Sequence, residues 1–553
     1  MLDFRPRLLD ELRGYDRSKF LSDLSAGLTV AAVALPLAMA FAIASGLKPE
    51  AGLFTAIVAG FLISALGGSR VQIGGPAGAF VVVVYAIVER YGVANLLLAT
   101  MMAGVLLLLM GAFRLGNLVR FVPVSIVIGF TNGIAVLIIL SQLRPLLGLQ
   151  IEEMPADFFR MVRALAKAAP SADAATIALA VATLGVIWGW PRVWRSGQGA
   201  LARAMRHVPG TIIGLAFGTA TVLLLGLHVE TIGARFGGIP QTLPPLSWPH
   251  AGWPEFSLLF GPAFTIALLG SIESLLCARV ADAVIEDRHD PNQELMAQGI
   301  ANIAAPLLGG FCATGTIART MTNVRSGAKT PIAGVVHAAS LLGVVLVAAP
   351  LARHIPLATL AAILIYVAYY MGEWHEFARL RQFSNYYRLI LLSTFTLTVV
   401  VDLTVAVQVG LMLACLFFIA RISGLTRVEP IAEIEEKVAG VDARQVEAFR
   451  ISGSLFFGAV SKMDGLLDPR RRMPKVMILD LSQLLNMDTS GLETLETLHS
   501  TLRNRGGTLV LAAVQDQPRG LIARSGLLDA LGPANIVATF ADALRRSREL
   551  AAG

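Results

Sequence analysis

Long apolar runs separated by short polar segments dominate the first three quarters of the chain. Runs such as LTVAAVALPLAMAFAIA (28–44) and LLLATMMAGVLLLLMGAF (96–113) contain no charged residue. About 20 consecutive apolar residues are enough to cross the hydrocarbon core of a bilayer. The pattern therefore predicts a membrane domain over residues 21–427, after a charged N-terminal segment at 1–20.

The membrane domain divides into fourteen apolar segments of unequal length. Those that begin near residues 76, 292 and 315 are short and are interrupted by glycine, proline or polar residues. The predicted spans are 22–44, 51–67, 76–89, 93–113, 121–147, 173–190, 208–227, 257–281, 292–308, 315–326, 331–350, 355–372, 386–401 and 403–424.

The pattern changes at about residue 428. The segments VEAFRISGSLFFGAV (446–460), VMILDLSQL (476–484) and TLVLAAV (508–514) are typical of strands, and ETLETLHSTLRNRG (493–506) is typical of an amphipathic helix. Strands that alternate with helices indicate a small α/β layer. We therefore predict a separate domain over 428–553.

Composition supports the membrane assignment, because 55% of the 553 residues are hydrophobic and only 15% are charged. Soluble domains carry roughly a quarter charged residues. The N-terminus shows no secretory signal. Basic residues lie mostly in loops on one side, which predicts cytoplasmic N- and C-termini and removes the reason to infer nucleic-acid binding. Single cysteines in apolar surroundings, typical of small core residues, occur at Cys277, Cys312 and Cys415.

Two glycine-rich segments interrupt the apolar pattern in corresponding positions of the two halves. They read GGSRVQIGGPAGAF (67–80) and GGFCATGTIART (309–320). Such paired broken segments indicate the binding site of a transporter. If each segment starts a helix at membrane depth, two helix N-termini with unpaired N–H groups face each other and favour an anion.

Arg319 lies near the end of the second broken segment, about one turn into the helix that this segment starts. A charge at membrane depth is expensive and indicates a functional site. There it would add a full positive charge to the anion site. The alternative is that its long side chain reaches the membrane interface.

Glu273 lies in the middle of the apolar segment GPAFTIALLGSIESLLCA (261–278). A carboxyl group within a span can take up and release a proton during transport. The sequence therefore indicates a proton-coupling group. The alternative is a structural partner of Arg319 or of a backbone donor.

The chain resembles the sulfate permease (SulP) family of anion transporters over essentially its whole length. The resemblance rests on residues 23–53, GGPAGAF (74–80), IESLLCARVAD (272–282), residues 292–331 and DTSG (488–491). It implies a mainly α membrane protein of fourteen spans, arranged as two inverted seven-span repeats with core and gate domains. It also implies a cytoplasmic α/β STAS domain and a homodimer.

The resemblance places an anion between the N-termini of the third and tenth spans. Some relatives have serine where this chain has Ala318, so only the backbone N–H of Ala318 could contact an anion. With the glycine-rich loops, the predicted substrate-binding residues are Phe41, Ala77, Gly78, Ala79, Phe80, Gly315, Thr316, Ala318 and Arg319. Glu273 is the predicted proton-coupling residue.

These features predict a secondary active transporter, not an enzyme, in a bacterial inner membrane. Its expected substrate is a small oxyanion or carboxylate, with a C4-dicarboxylate favoured over sulfate or bicarbonate because the resemblance is to the bacterial dicarboxylate-type branch. Protons are favoured over Na⁺ as the coupling ion, and no cofactor or metal is expected. The alternatives are an anion channel or motor-like protein, and a membrane receptor that signals through STAS.

The DTSG turn of the C-terminal domain offers one further candidate. Asp488 or Thr489 can cap the helix that follows. In bacterial signalling relatives the serine of this turn is phosphorylated, and Ser490 holds the matching place. We favour a structural turn, with phosphorylation of Ser490 or a cytoplasmic protein partner as the alternative.

Overall fold

The computed structural model describes residues 4–117, 122–152, 154–195, 205, 208–248, 253–431, 445–468 and 471–552. The chain forms two compact units, Met1–Leu411 and Met412–Gly553. This division falls inside a long helix, whereas the predicted domain boundary at 427/428 follows the end of that helix. The boundary at 427/428 therefore stays a prediction.

Helices form nearly all the regular structure described in the first unit. In chain order they are α1 (Arg7–Glu11), α2 (Arg17–Ala44), α3 (Pro49–Leu66), α4 (Val81–Ala112), α5 (Val124–Leu147), α6 (Phe158–Ala168), α7 (Ala174–Arg195), α8 (Gly210–Leu225), α9 (Ile232–Phe236), α10 (Trp253–Ile285), α11 (Pro291–Leu307), α12 (Ile317–Arg325), α13 (Ile332–Ala352), α14 (Leu357–Met371), α15 (Trp374–Ala378), α16 (Asn385–Val400) and α17 (Leu403–Leu425). Two short strands, β1 (Gly74–Gly75) and β2 (Thr314–Gly315), interrupt them.

The mainly helical membrane fold is confirmed. Eight of the described helices are long and apolar enough to cross a membrane, and α8 and α14 are shorter apolar helices. Each of the fourteen predicted spans coincides with a described helical segment when α4 is counted twice. The backbone of α4 breaks at Gly92, whose φ of 82° and ψ of 169° are not helical. Residues with a Cβ rarely adopt a positive φ, so glycine permits this break.

Small residues let the helices of the first unit approach closely. A Cβ atom on Gly104 of α4 would lie 2.7 Å from the carbonyl oxygen of Gly299 of α11. A Cβ on Gly299 would lie 2.6 Å from the backbone nitrogen of Leu108. Membrane helices pack tightly where such residues meet, and here this packing fixes α11 against α4.

The second unit contains a five-stranded sheet in the order β3-β4-β5-β6-β7. The β3–β4 pair is antiparallel and the other pairs are parallel. The strands are β3 (Arg427–Pro430), β4 (Val446–Leu455), β5 (Val476–Met487), β6 (Thr508–Ala512) and β7 (Ile536–Val537), and the helices are α18 (Asp464–Leu467), α19 (Thr489–Asn504), α20 (Asp516–Ser525), α21 (Leu527–Leu531) and α22 (Phe540–Ala552). The predicted α/β domain is confirmed.

Two buried clusters lie in this α/β layer. One joins the strands to α19, α20 and α21, and the other joins them to α22. Asp480 of β5 is 2% exposed and accepts a hydrogen bond from Arg450 Nε at 2.8 Å. Burial alone would raise the pKa of Asp480, but hydrogen bonds from Ser482 and Arg450 lower it. The carboxylate is therefore a structural tie between β4 and β5.

A second buried carboxylate fastens the N-terminal segment to the helices. Asp23 of α2 accepts hydrogen bonds from the backbone N–H groups of Lys329 and Thr330, at 2.7 and 3.1 Å, and from the Thr330 hydroxyl. The Tyr15 hydroxyl also donates to Asp23, at 3.2 Å. Burial and then the charge of Asp23 raise the pKa of Tyr15 to about 12, so Tyr15 keeps the proton it donates. Asp23 thus ties α2 to the loop between α12 and α13.

We expect Asp23→Asn to destabilise the protein by on the order of 3 kcal/mol, because its amide would present N–H groups to backbone donors. The apparent melting temperature of the purified full-length protein in detergent measures the loss. Glu286→Gln, a change at an exposed acidic residue, is the matched control. Equal melting temperatures for Asp23→Asn and this control would show that the hydrogen bonds of Asp23 to the loop between α12 and α13 do not stabilise the protein.

Candidate functional site

The two broken segments meet in the structure. β1 and β2 pair antiparallel, with Gly74 opposite Gly315 and Gly75 opposite Thr314. All four residues are buried. The two glycine-rich loops therefore form one structural element, as an inverted pair of broken helices requires.

A helical segment starts within three residues after the end of each strand. Gly78–Phe80 forms a 3₁₀ turn that leads into α4, and α12 follows β2. Ala77 and Thr316 occupy the N-cap positions, and the side chain of neither accepts a hydrogen bond from the helix start. The first N–H groups of a helix lack intrahelical partners. Both helix starts therefore present donors and partial positive charge to the space in front of them.

Hydrogen bonds fix these two helix starts relative to each other. Ile73 N donates to Thr320 Oγ1 at 3.0 Å, and Ile73 O accepts from the backbone N–H and hydroxyl of Thr316, at 3.0 and 3.2 Å. The Thr316 hydroxyl is thus committed to the backbone. Asn302 of α11 bonds both the N–H and the C=O of Ala313, each at 2.8 Å. The two helix starts are therefore fixed both by hydrogen bonds to each other and by hydrogen bonds from α11.

Arg319 of α12 is buried behind this strand pair. It is 1% exposed, and neither Nη1 nor Nη2 has a hydrogen-bond partner among the residues that the structure describes. This burial disagrees with the alternative that the side chain reaches the membrane interface. An unpaired buried cation attracts an anion strongly because little solvent screens it.

Gly75 makes room for the guanidinium. A Cβ on Gly75 would lie 2.3 Å from Arg319 Nη1, closer than carbon and nitrogen can approach. The φ of Gly75 is 149°, which also favours glycine. Both the space and the backbone conformation therefore depend on glycine at this position.

Phe41 of α2 borders the start of the third span. A Cβ on Gly78 would lie 3.3 Å from Phe41 Cε1 and 3.3 Å from Met371 Sδ. The structure thus brings Phe41 to the predicted site and adds Met371, the last residue of α14. Met371 was missed because it ends an apolar run with no distinguishing pattern.

The remaining predicted residues lie at the same two helix starts. Ala77, Ala79 and Phe80 are buried, and the Phe80 ring packs on α10, where a Cβ on Gly270 would lie 3.3 Å from Phe80 Cζ. Ala318 is exposed at the start of α12.

Glu273 lies one turn after Gly270 on α10. Its Oε2 atom is buried and has no hydrogen-bond partner in the described part of the chain. No ion pair between Glu273 and Arg319 occurs among the described residues either. The structure therefore does not support the alternative that Glu273 is a structural partner of Arg319.

His337 of α13 is a buried residue near this site whose role the sequence did not reveal. It is 0% exposed, and both ring nitrogens lack partners within the described ranges. The sequence signal is a lone histidine in the apolar run GVVHAASLL (334–342), which is more often a satisfied core residue. The ring is in the core, but the described residues do not satisfy it.

In the second unit, Asp488 holds the DTSG turn. It is the N-cap of α19 and accepts hydrogen bonds from the N–H of Gly491 at 2.9 Å and of Phe457 at 3.1 Å. Thr489 therefore does not cap the helix. Ser490 is half-buried in the first turn of α19, and its modification stays a prediction.

Two family profiles match the sequence. The profile described as "Sulfate permease family" matches residues 20–394, and the profile described as "STAS domain" matches residues 441–543. Together they cover both units.

Two bacterial relatives align over most of the chain. YvdB of Bacillus subtilis (strain 168), provisionally named a sulfate transporter, is 41% identical over 528 residues, which cover 95% of this chain and 97% of YvdB. The bicarbonate transporter BicA of Picosynechococcus is 32% identical over 457 residues, which cover 79% of this chain and 78% of BicA. Both relatives are named as transporters and not as enzymes.

Solved structures resemble the chain as well. The transmembrane domain of a cyanobacterial BicA superposes with a TM-score of 0.64 at 32% identity, over 71% of this chain and 98% of that domain. Murine Solute Carrier 26 family member A9 superposes with a TM-score of 0.85, over 98% of this chain and 94% of that protein; at 17% identity, this shows the fold alone. The chain belongs to the sulfate permease family of membrane anion transporters and carries a C-terminal STAS domain.

Proposed function

We propose that the protein is a secondary active transporter that moves a small oxyanion or carboxylate by alternating access. The observation that carries this proposal is the unpaired, buried guanidinium of Arg319 beside two uncapped helix starts. The site has donors and positive charge on one side, and neither helix start is capped by a side chain. An anion is the ligand that satisfies such a set.

The anion would rest in front of the two helix starts. The backbone N–H groups of Gly78, Ala79 and Ala318 are the nearest candidate donors, and Phe41 and Phe80 would exclude water from one side. Gly315 and Thr316 shape the backbone on the other side, and the Thr316 hydroxyl is already bonded to Ile73. Arg319 would act from behind the strand pair through its charge.

The substrate within this class is the finer part of the proposal. The names of the two aligned relatives favour sulfate or bicarbonate for this chain. The preference for a C4-dicarboxylate rests on sequence resemblance alone, and the comparisons do not single out a dicarboxylate branch. We therefore propose a small oxyanion, with fumarate, succinate and aspartate retained as test substrates.

We propose that Glu273 couples transport to protons because of its position within the membrane span formed by α10. Glu273 is half-buried, and its buried Oε2 atom has no hydrogen-bond partner among the described residues, so the carboxyl group can change its protonation state without breaking a hydrogen bond of that atom. This favours H⁺ over Na⁺ as the coupling ion.

We further propose a bacterial inner-membrane homodimer with cytoplasmic N- and C-termini. The orientation is supported by the excess of arginine and lysine in the loops on the N-terminal side. The STAS domain would then lie in the cytoplasm, where Ser490 or a protein partner could regulate transport.

Uptake into proteoliposomes tests the transport class. We expect concentrative uptake of one or more of five anions (sulfate, bicarbonate, fumarate, succinate and aspartate), with a rate that differs between two external pH values. Flux that only dissipates a gradient would indicate the anion channel. If a variant without the STAS domain retains uptake, STAS is not the output of a receptor.

Arg319→Ala should reduce uptake by at least on the order of tenfold, because it removes the full charge beside the helix starts. Arg319→Lys should retain part of the activity, since it keeps the charge but loses the planar fork. The matched control is Arg325→Ala, an exposed arginine on the same helix, with uptake expected within roughly twofold of wild type. Equal uptake by Arg319→Ala and this control would disprove the site.

Glu273→Gln separates coupling from binding. The amide keeps the shape of the side chain but cannot exchange a proton, so we expect anion binding to persist while an imposed pH gradient no longer drives accumulation. Binding to the purified protein and gradient-driven uptake are measured in parallel. Accumulation by Glu273→Gln in response to the gradient would assign coupling to another group.

A further inference from the structure

His337 is a buried polar side chain that lies outside the predicted anion site. It sits in α13 with no exposed surface, and both Nδ1 and Nε2 are without partners among the described residues. A polar group buried without a hydrogen bond costs free energy. A water molecule or another polar group that bonds the ring would remove this cost.

The ring of His337 lies beside α3 and β1. A Cβ on Gly60 of α3 would lie 3.8 Å from His337 Nε2 and 3.2 Å from the carbonyl oxygen of Gly74. The missing side chain of Gly60 thus leaves the space between the imidazole and the strand. His337 therefore lies against the strand that leads into the third span.

Arg319 also lies against α3 and β1, at positions next to those that His337 contacts. The position of a Cβ on Gly75 lies 2.3 Å from Arg319 Nη1 and 3.5 Å from Cα of Ala56. Ala56 and Gly60 are one helical turn apart on the same face of α3. Both unsatisfied side chains therefore lie against adjacent positions of α3 and β1.

Their hydrogen-bonding capacities are complementary. A guanidinium has donors only, and a neutral imidazole has one acceptor nitrogen. A second buried cation beside Arg319 would be repelled, so a neutral imidazole suits this position better than an imidazolium. A neutral acceptor can fix the guanidinium without cancelling its charge, whereas a carboxylate would neutralise the site for an anion.

We propose that His337 is a positioning residue for the anion site: one water molecule accepts a hydrogen bond from the Arg319 guanidinium and donates one to a ring nitrogen of His337, which holds the cation beside β1. Arg319 and His337 both have bonding positions that no described residue occupies, and a bridging water is nearly as favourable as a direct bond. The inference rests on the proposed function, because it assigns His337 to the binding of the transported anion.

Three substitutions of His337 test whether the hydrogen-bond acceptor, the charge or the shape of the side chain matters for anion binding. His337→Gln keeps a neutral acceptor, and we expect the dissociation constant for the anion to stay within roughly threefold of wild type. His337→Leu suits an apolar helix but removes the acceptor, and binding should weaken on the order of tenfold. His337→Glu supplies a charged acceptor that neutralises Arg319, so binding should be lost.

Calorimetric titration of the purified full-length variants with the five anions of the uptake panel measures these constants. Initial uptake rates should show a raised KM for His337→Leu with a smaller change in the maximal rate. His228→Leu, at an exposed histidine, is the matched control and should bind as wild type does. The apparent melting temperature of each variant identifies any that fails to fold.

Equal weakening by His337→Gln and His337→Leu would show a merely structural role and overturn the inference. Wild-type affinity in His337→Leu or in His337→Glu would overturn it as well. If the wild-type protein binds none of the five anions, the proposed function fails and the inference fails with it. If wild type binds and the variants do not differ from it, only the inference fails.

Discussion

A guanidinium buried without a counter-charge is the constraint on which the first unit depends. Removing a cation from water costs several kcal/mol unless another group compensates. Glycine at position 75 leaves room for Nη1 of Arg319, but no described acidic residue pairs with the guanidinium, so its charge is not compensated. Two helix starts add partial charge of the same sign. An anion bound at the proposed site would relieve this electrostatic imbalance.

Three carboxylates of the first unit fall into two groups, two with several hydrogen bonds and one with a buried oxygen that has none in the described part of the chain. Asp23 accepts from two backbone N–H groups and two hydroxyls, and Glu294 accepts from Gly68 N at 2.9 Å and Gln298 Nε2 at 3.0 Å. Each thereby fastens a loop to a helix. Glu273 has a buried oxygen with no such bond. The contrast between satisfied and unsatisfied groups distinguishes the scaffold of the first unit from the groups assigned to transport.

The second unit follows ordinary α/β rules. Both faces of its sheet are covered by apolar residues of neighbouring helices, so it has a core of its own. At the DTSG turn, Asp488 bonds two backbone N–H groups and fixes the start of α19. This arrangement explains the turn on structural grounds alone, so a regulatory role of Ser490 would be additional to it.

The sequence by itself determined the membrane class, the positions of the spans, the α/β domain and the two broken segments, because local hydrophobic periodicity and glycine punctuation are readable along the chain. It also singled out Arg319 and Glu273, since charges in apolar spans are rare. Only the tertiary structure decided which buried polar groups form hydrogen bonds with one another and which residues meet at the candidate site. The pairing of β1 with β2, the place of Met371 beside Gly78 and the unsatisfied ring of His337 join residues far apart in sequence. These features depend on distances between remote residues that no local pattern encodes.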